Sequence, residues 1–188
     1  DSGWTYGCTW ADYDTDGFTD LYLSKYQHQQ NSLFHNEQGN HFTKILNSIT
    51  TIDSSYSQNS IWSDFNNDGW LDLFIGNESS QKIDAPCEFY INEKGTFRNI
   101  IQQTGLGNIR GVVKGVASGD VNNDGWQDIY LSIIGQPNKL FLNSGSSAGG
   151  SAIQFEDITE TTGVQEPLES FPTWMWDFNN DGHIDIFV

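Results

Sequence analysis

Basic residues are scarce in this chain: 8 Lys and Arg stand against 25 Asp and Glu, for a formal charge of −17. A surface this acidic repels a phosphate backbone, which excludes nucleic acid as a partner. Long apolar runs are also missing. No stretch approaches the roughly 18 residues of a membrane-spanning helix, so no transmembrane segment is expected in this span. The opening residues DSGWTYG lack the basic and then apolar regions of a signal peptide, and any export signal is expected outside this sequence. There are two cysteines, Cys8 and Cys87, far apart and in no C-x-x-C pairing, which argues against a thiolate zinc site or a redox pair. Both are expected to be buried thiols, a mutual disulfide being the alternative in an oxidising compartment.

Helical signals are absent too. Nowhere does 3.6-residue periodicity combine with capping residues over ten positions, so the chain is expected to be essentially all β. Catalytic signatures are missing: there is no G-x-S-x-G and no Cys-His arrangement. His28, His35, His41 and His183 show no H-x-x-x-H or H-E-x-x-H spacing, so no catalytic transition-metal site is expected. The few basic residues are spread along the sequence without forming a catalytic cluster. An enzyme is not expected.

What the chain does have is aromatic and repetitive. Aromatics make up 14% of residues and hydrophobics 36%, too many for a disordered acidic chain. Its 188 residues suit one domain or a piece of one repeating domain. Four segments repeat: DYDTDGFTDLYL from Asp12, DFNNDGWLDLFI from Asp64, DVNNDGWQDIYL from Asp120 and DFNNDGHIDIFV from Asp177. Their starts lie 52, 56 and 57 residues apart. Between them recur NSLFHN, CEFYIN and NKLFLN from Asn31, Cys87 and Asn138, then HFTKIL, TFRNII and QFEDIT from His41, Thr96 and Gln154. Each unit reads as an alternating strand, an acidic loop and three more short strands, which is one antiparallel propeller blade. The units run over about 4–53, 54–107, 108–165 and 166–188, the last incomplete. The expected fold is thus a β-propeller of four-stranded blades, about three and a half of them present, as a fragment of a larger ring.

Each acidic loop carries Asp or Asn at positions 1, 3 and 5, Gly at 6 and Asp at 9. So many carboxylates in nine residues raise one another's pKa unless a cation neutralises them. Calcium fits, because it takes six to eight oxygen ligands in a flexible shell. The expected ligands of the first loop are Asp12, Asp14, Asp16, Asp20 and the Phe18 carbonyl. The second loop offers Asp64, Asn66, Asp68, Asp72 and the Trp70 carbonyl; the third, Asp120, Asn122, Asp124, Asp128 and the Trp126 carbonyl. The fourth offers Asp177, Asn179, Asp181, Asp185 and the His183 carbonyl. These loops hold 13 of the 25 acidic residues, and four calcium ions would bring the charge from −17 to −9. An EF-hand would need Glu at position 12, where Leu23, Ile75, Leu131 and Val188 stand instead, so the ion is expected in a strand-loop-strand hairpin. One such loop would pass as an ordinary Asp-Asn-Gly turn; four at blade spacing do not.

On these loops and strands, with GVASGDVNNDGWQDIYLS (115–132) the most specific stretch, the chain resembles FG-GAP repeats. The likeness is to the VCBS-like variety of integrin α-subunit propellers, cartilage-acidic-protein-like proteins and bacterial exported proteins. The Phe-Gly and Gly-Ala-Pro pairs that name the family are degenerate here. The resemblance implies a secreted or cell-surface calcium-binding module, periplasmic in a bacterium, that mediates adhesion by binding a protein or glycan. Two alternatives are the propeller portion of a calcium-dependent polysaccharide lyase or dehydratase, and a self-associating matrix or filament subunit. Trp10, Trp62 and Trp176 are expected to pack between blades, with Trp70 and Trp126 the better exposed. The loops 77–86 and 143–152 are expected to be surface excursions.

Overall fold

The computed structural model describes residues 3–52, 56–146 and 153–188. These form antiparallel sheets that follow one another along the chain. The first sheet holds β1 (Thr5–Ala11), β2 (Asp20–Lys25), β3 (Ser32–Asn36) and β4 (Phe42–Ile45). The second holds β5 (Ser57–Ser63), β6 (Asp72–Asn77), β7 (Glu88–Glu93) and β8 (Thr96–Asn99). The third holds β9 (Val112–Gly119), β10 (Asp128–Ile134), β11 (Lys139–Ser146) and β12 (Ile153–Asp157). A two-stranded ribbon of β13 (Trp174–Trp176) and β14 (Asp185–Phe187) ends the chain. Strand order is sequential in every sheet, so the all-β reading and the four-strand unit both hold.

Short helical turns depart from that reading. They lie at Ile49–Ile52, Ile101–Gln103 and Thr159–Thr162, each just after the fourth strand of a sheet. Three or four residues are too few to display a helical period, so the sequence pattern cannot reveal them. No helix of the described residues is long and apolar enough to cross a membrane.

Aromatic and aliphatic layers join the sheets. Tyr13, Tyr22, Leu33, Leu73, Ile75, Tyr90 and Phe97 pack between the first and second, with Trp62 against them. A larger layer built on Phe65, Phe74, Phe89, Leu131, Phe141 and Phe155 joins the second and third. Each such side chain contributes about 1.5–3 kcal/mol when fully buried. The opening strands β1, β5, β9 and β13 lie side by side in that order. Glycine permits this close approach: a Cβ on Gly7 would come within 2.7 Å of the Gln58 carbonyl oxygen, and one on Gly115 within 2.6 Å of that of Phe171.

Register decides the tryptophans. Trp62 faces the preceding sheet, stacked on Tyr13 and edge-on to Tyr22, as expected. Trp10 holds the same register position but is 54% exposed, because no described sheet precedes it. Trp176 is also exposed, at 53%. It pairs with Asp185 as Ala11 pairs with Asp20, one residue off the Trp10 position, so it points to the opposite face. Met175 takes the inward place and lies against Gly119. Trp70 and Trp126 are half-buried, not the exposed pair expected. Trp126 is covered by the chain at Gly145, where an added Cβ would come within 2.5 Å of its ring.

Both cysteines are free. Cys87 is buried as expected, but Cys8 is exposed. The excursion expected at 143–152 begins as ordered strand, since β11 runs to Ser146, and residues 147–152 lie outside the described residues. The segment 77–86 is pinned: the Ser79 hydroxyl donates to the Ala85 carbonyl at 2.7 Å and accepts from its N–H at 3.1 Å.

Candidate metal centre

Each acidic loop links the first two strands of its sheet. The position-9 aspartate opens the second strand and pairs with the residue just before the loop: Asp20 with Ala11, Asp72 with Ser63, Asp128 with Gly119, Asp185 with Trp176. That register closes the hairpin over the eight residues between.

Inside the loop the position-1 carboxylate organises the backbone. Asp64 accepts the Asp68 N–H on Oδ1 at 3.1 Å and the Gly69 N–H on Oδ2 at 2.8 Å. Asp12, Asp120 and Asp177 do the same, at 2.8–3.0 Å, for their own fifth and sixth residues. The position-5 carboxylate then accepts the position-7 N–H, as Asp68 does from Trp70 at 2.9 Å. Such a path needs left-handed backbone twice. Gly69 has φ +88° and Asn67 +56°, and every copy repeats this pair of positions. The glycine is legible in the sequence; the left-handed fourth position, filled by Asn three times and by Thr15 once, is not.

In the first three loops the position-9 carboxylates are the most buried, while Asp185 in the fourth is half-buried. Asp20, Asp72 and Asp128 are each exposed by 1% or less. Asp72 accepts the Phe65 N–H at 3.1 Å on one oxygen and the Asn92 N–H at 2.9 Å on the other. Asp20 and Asp128 bridge Tyr13 to Asn36 and Val121 to Asn143 likewise. Burial pushes the Asp72 carboxyl up to about 7, against the pull of those two N–H donors, and that of Asp128 up to about 6. In the first loop Asp14 and Asp20 are also raised, chiefly by burial. Its charge pushes outward as well: burial first, then Asp14, Asp20 and Asp16, lift the Tyr13 phenol to about 12.

Each loop thus draws together carboxylates that repel one another. In the first, Asp12, Asp14 and Asp20 offer oxygens within 4.8 Å of one another. In the others, position-3 Asn replaces Asp, and its amide donates to the position-5 carboxylate at 2.8–3.0 Å, from Asn66, Asn122 and Asn179. Such clusters can hold a metal ion.

Two features escaped the sequence reading. His35 joins the first cluster: its Nδ1 is 3.2 Å from Asp14 Oδ2 and 3.2 Å from Asp20 Oδ1. Comparing NSLFHN with CEFYIN and NKLFLN would have singled it out, since Ile91 and Leu142 hold the same place. A second set gathers at the opposite end of the opening strands. Tyr26 packs against Tyr6 and Tyr56, His28 against Tyr56, and Lys114 lies over Tyr6. The Lys114 ammonium donates to Glu78 and Gln58 at 3.1 and 3.0 Å. Residues from three sheets meet there, a juxtaposition invisible in linear order.

Sequential four-stranded antiparallel sheets, each headed by an acidic hairpin loop, define a repeat protein of a recognisable class. Residues 12–75 and 64–131 match the FG-GAP-like repeat, and the chain belongs to that family. It is also similar to cartilage acidic protein 1 of Xenopus tropicalis, 30% identical over 118 residues. That match covers 62% of this chain and 17% of the relative, so the chain spans under a fifth of that protein's length.

Proposed function

We propose that the chain is part of an extracellular β-propeller whose acidic loops bind divalent cations, calcium in the second, third and fourth, and whose blades present a non-catalytic binding surface for a protein or glycan. The observation that carries the calcium reading is the set of buried position-9 carboxylates. Asp72 and Asp128 are forced into a desolvated place beside two further aspartates each, and a divalent cation removes the cost of that charge. In the second, third and fourth loops the side chains and the position-7 carbonyl form an all-oxygen donor set, which suits calcium. The residues for each site are those named from the sequence. A bound ion would tie the loop to both hairpin strands.

The propeller reading rests on the side-by-side opening strands and on the apolar faces at both ends. Trp4, Trp10 and Leu46 are exposed at the first sheet, and Trp174, Trp176 and Phe178 at the last ribbon. Each repeat unit would be one blade, with 166–188 a partial one, and further blades or another copy of the chain would cover those faces.

Thermal unfolding with and without a chelator tests the calcium reading. The midpoint should fall on chelation and recover with added calcium by mass action. An unchanged midpoint would sink it. The meeting of Tyr6, Tyr26, Tyr56, His28 and Lys114 favours one second reading, a lyase-like active site in the full-length protein. Against that, Lys114 is already held by Glu78 and Gln58. Incubation of the full-length protein with acidic polysaccharides, read by absorbance of unsaturated products, separates the two: product formation would overturn the non-catalytic reading.

A further inference from the structure

We propose that the first loop takes a different class of metal ion from the other three: a borderline transition cation such as Zn2+, bound by His35 together with Asp14 and the neighbouring aspartates. The proposal rests on the reading of these loops as cation sites and adds a distinction among them.

Two of the differences between the first repeat and its copies are linked. Position 3 is Asp14, where the others have Asn66, Asn122 and Asn179. The residue facing it from the third strand is His35, where the second and third sheets have Ile91 and Leu142. The equivalence is one of register: Phe34, Tyr90 and Phe141, the residues just before, pair with Leu21, Leu73 and Ile129, each just after the position-9 aspartate. A carboxylate in place of an amide and an imidazole in place of an aliphatic side chain turn one set of donors into another.

The geometry is that of donors around a shared centre. His35 Nδ1 stands 3.2 Å from both Asp14 Oδ2 and Asp20 Oδ1. Donor atoms within 4.8 Å of one another come from Asp14, Asp16 and His35. Two donors bound to one ion at about 2.0–2.2 Å lie roughly 2.8–3.6 Å apart at octahedral or tetrahedral angles.

His35 lies within ion-pair distance of Asp14, Asp16, Asp20 and Glu37, yet Nδ1 makes no hydrogen bond to any of them. His35 Nδ1 and Asp14 Oδ1 are both buried from solvent with no hydrogen-bond partner, which is costly for polar atoms in a cluster this charged. A cation satisfies both. Calcium takes oxygen ligands, whereas imidazole nitrogen suits zinc, copper, iron and nickel. The histidine side chain keeps 21% exposure, which leaves an ion a way in.

The test is calorimetric titration of the chain with zinc chloride in calcium-saturated buffer. One zinc ion should bind per chain. His35→Ile, which installs the second sheet's residue, should weaken that binding at least about tenfold while leaving the calcium-dependent rise in thermal midpoint in place. Unchanged zinc affinity in His35→Ile, or no zinc binding by the wild-type chain, would overturn the proposal. A second measurement avoids dependence on that variant's folding. With His28, His41 and His183 changed to Gln, the ring nitrogens of the remaining His35 should shift in 15N spectra on adding zinc, and unshifted signals would overturn it equally. Zinc binding without any calcium response would instead remove the calcium reading of the other loops.

Discussion

At Asp72 both carboxylate oxygens accept backbone N–H groups from separate strands, in a place closed to water. Asp68, four residues earlier in the same loop, is exposed. Their substitutions should therefore separate structure from ion binding. Asp72→Ala strands two N–H groups and should cost about 1–3 kcal/mol for each even in chelator. Asp68→Ala should leave the chelated midpoint nearly unchanged and reduce only the calcium-dependent rise; calcium titrations followed by thermal unfolding compare the two.

Protonation gives a further check at this residue. Asp72 titrates near 7 when folded and near 3.9 when unfolded. Above pH 7 the metal-free fold carries the full cost of the buried charge. As pH falls between the two values the folded state takes up a proton before the unfolded chain does, so stability rises. The chelated protein should thus melt higher at about pH 5 than at about pH 8, and saturating calcium should flatten the trend. The cysteines differ in the same local sense. Burial pushes the Cys87 thiol up to about 11, so iodoacetamide at neutral pH should label the exposed Cys8 and leave Cys87 untouched, as read by peptide mass.

Between elements, asparagines act as staples. Asn92 on β7 donates to the Tyr13 carbonyl of the preceding sheet at 2.7 Å, and Asn143 on β11 to that of Phe65 at 2.9 Å. The loops are also linked in series: the Asn67 amide donates to the Gly125 carbonyl at 2.9 Å, and that of Asn123 to Gly182 at 3.3 Å. The first loop has Thr15 at that place and no amide to offer. Asn143→Ala removes a buried donor from two carbonyls and should cost about 1–3 kcal/mol, measured as a lower denaturation midpoint. Asn67→Thr, at an exposed loop tip, should cost less. The recurring Asn is plain in NSLFHN, CEFYIN and NKLFLN, but its partner lies 78 or 79 residues away, beyond what a local pattern can show.

Over the whole molecule, the sheets, their sequential strand order and the acidic hairpins were legible in the sequence. They depend on local facts: alternation along a strand, glycine at a left-handed position, and carboxylates dense enough to repel one another. The repeat multiplied each weak signal into a firm one. Trp176 stands directly before its acidic loop where Trp10 and Trp62 stand one residue further back, an offset present in the sequence that reverses its face; the exposure of Trp10 was not legible, because it turns on packing between sheets and no described sheet precedes it. Nor was the company His35 keeps. Its strand and its loop are 15 residues apart or more, and only pairing of β3 with β2 brings the imidazole over Asp14 and Asp20. The sequence by itself determined where charge would gather; the tertiary structure decided which other donors share that charge, because antiparallel pairing sets side chains opposite one another by register and not by proximity in the chain.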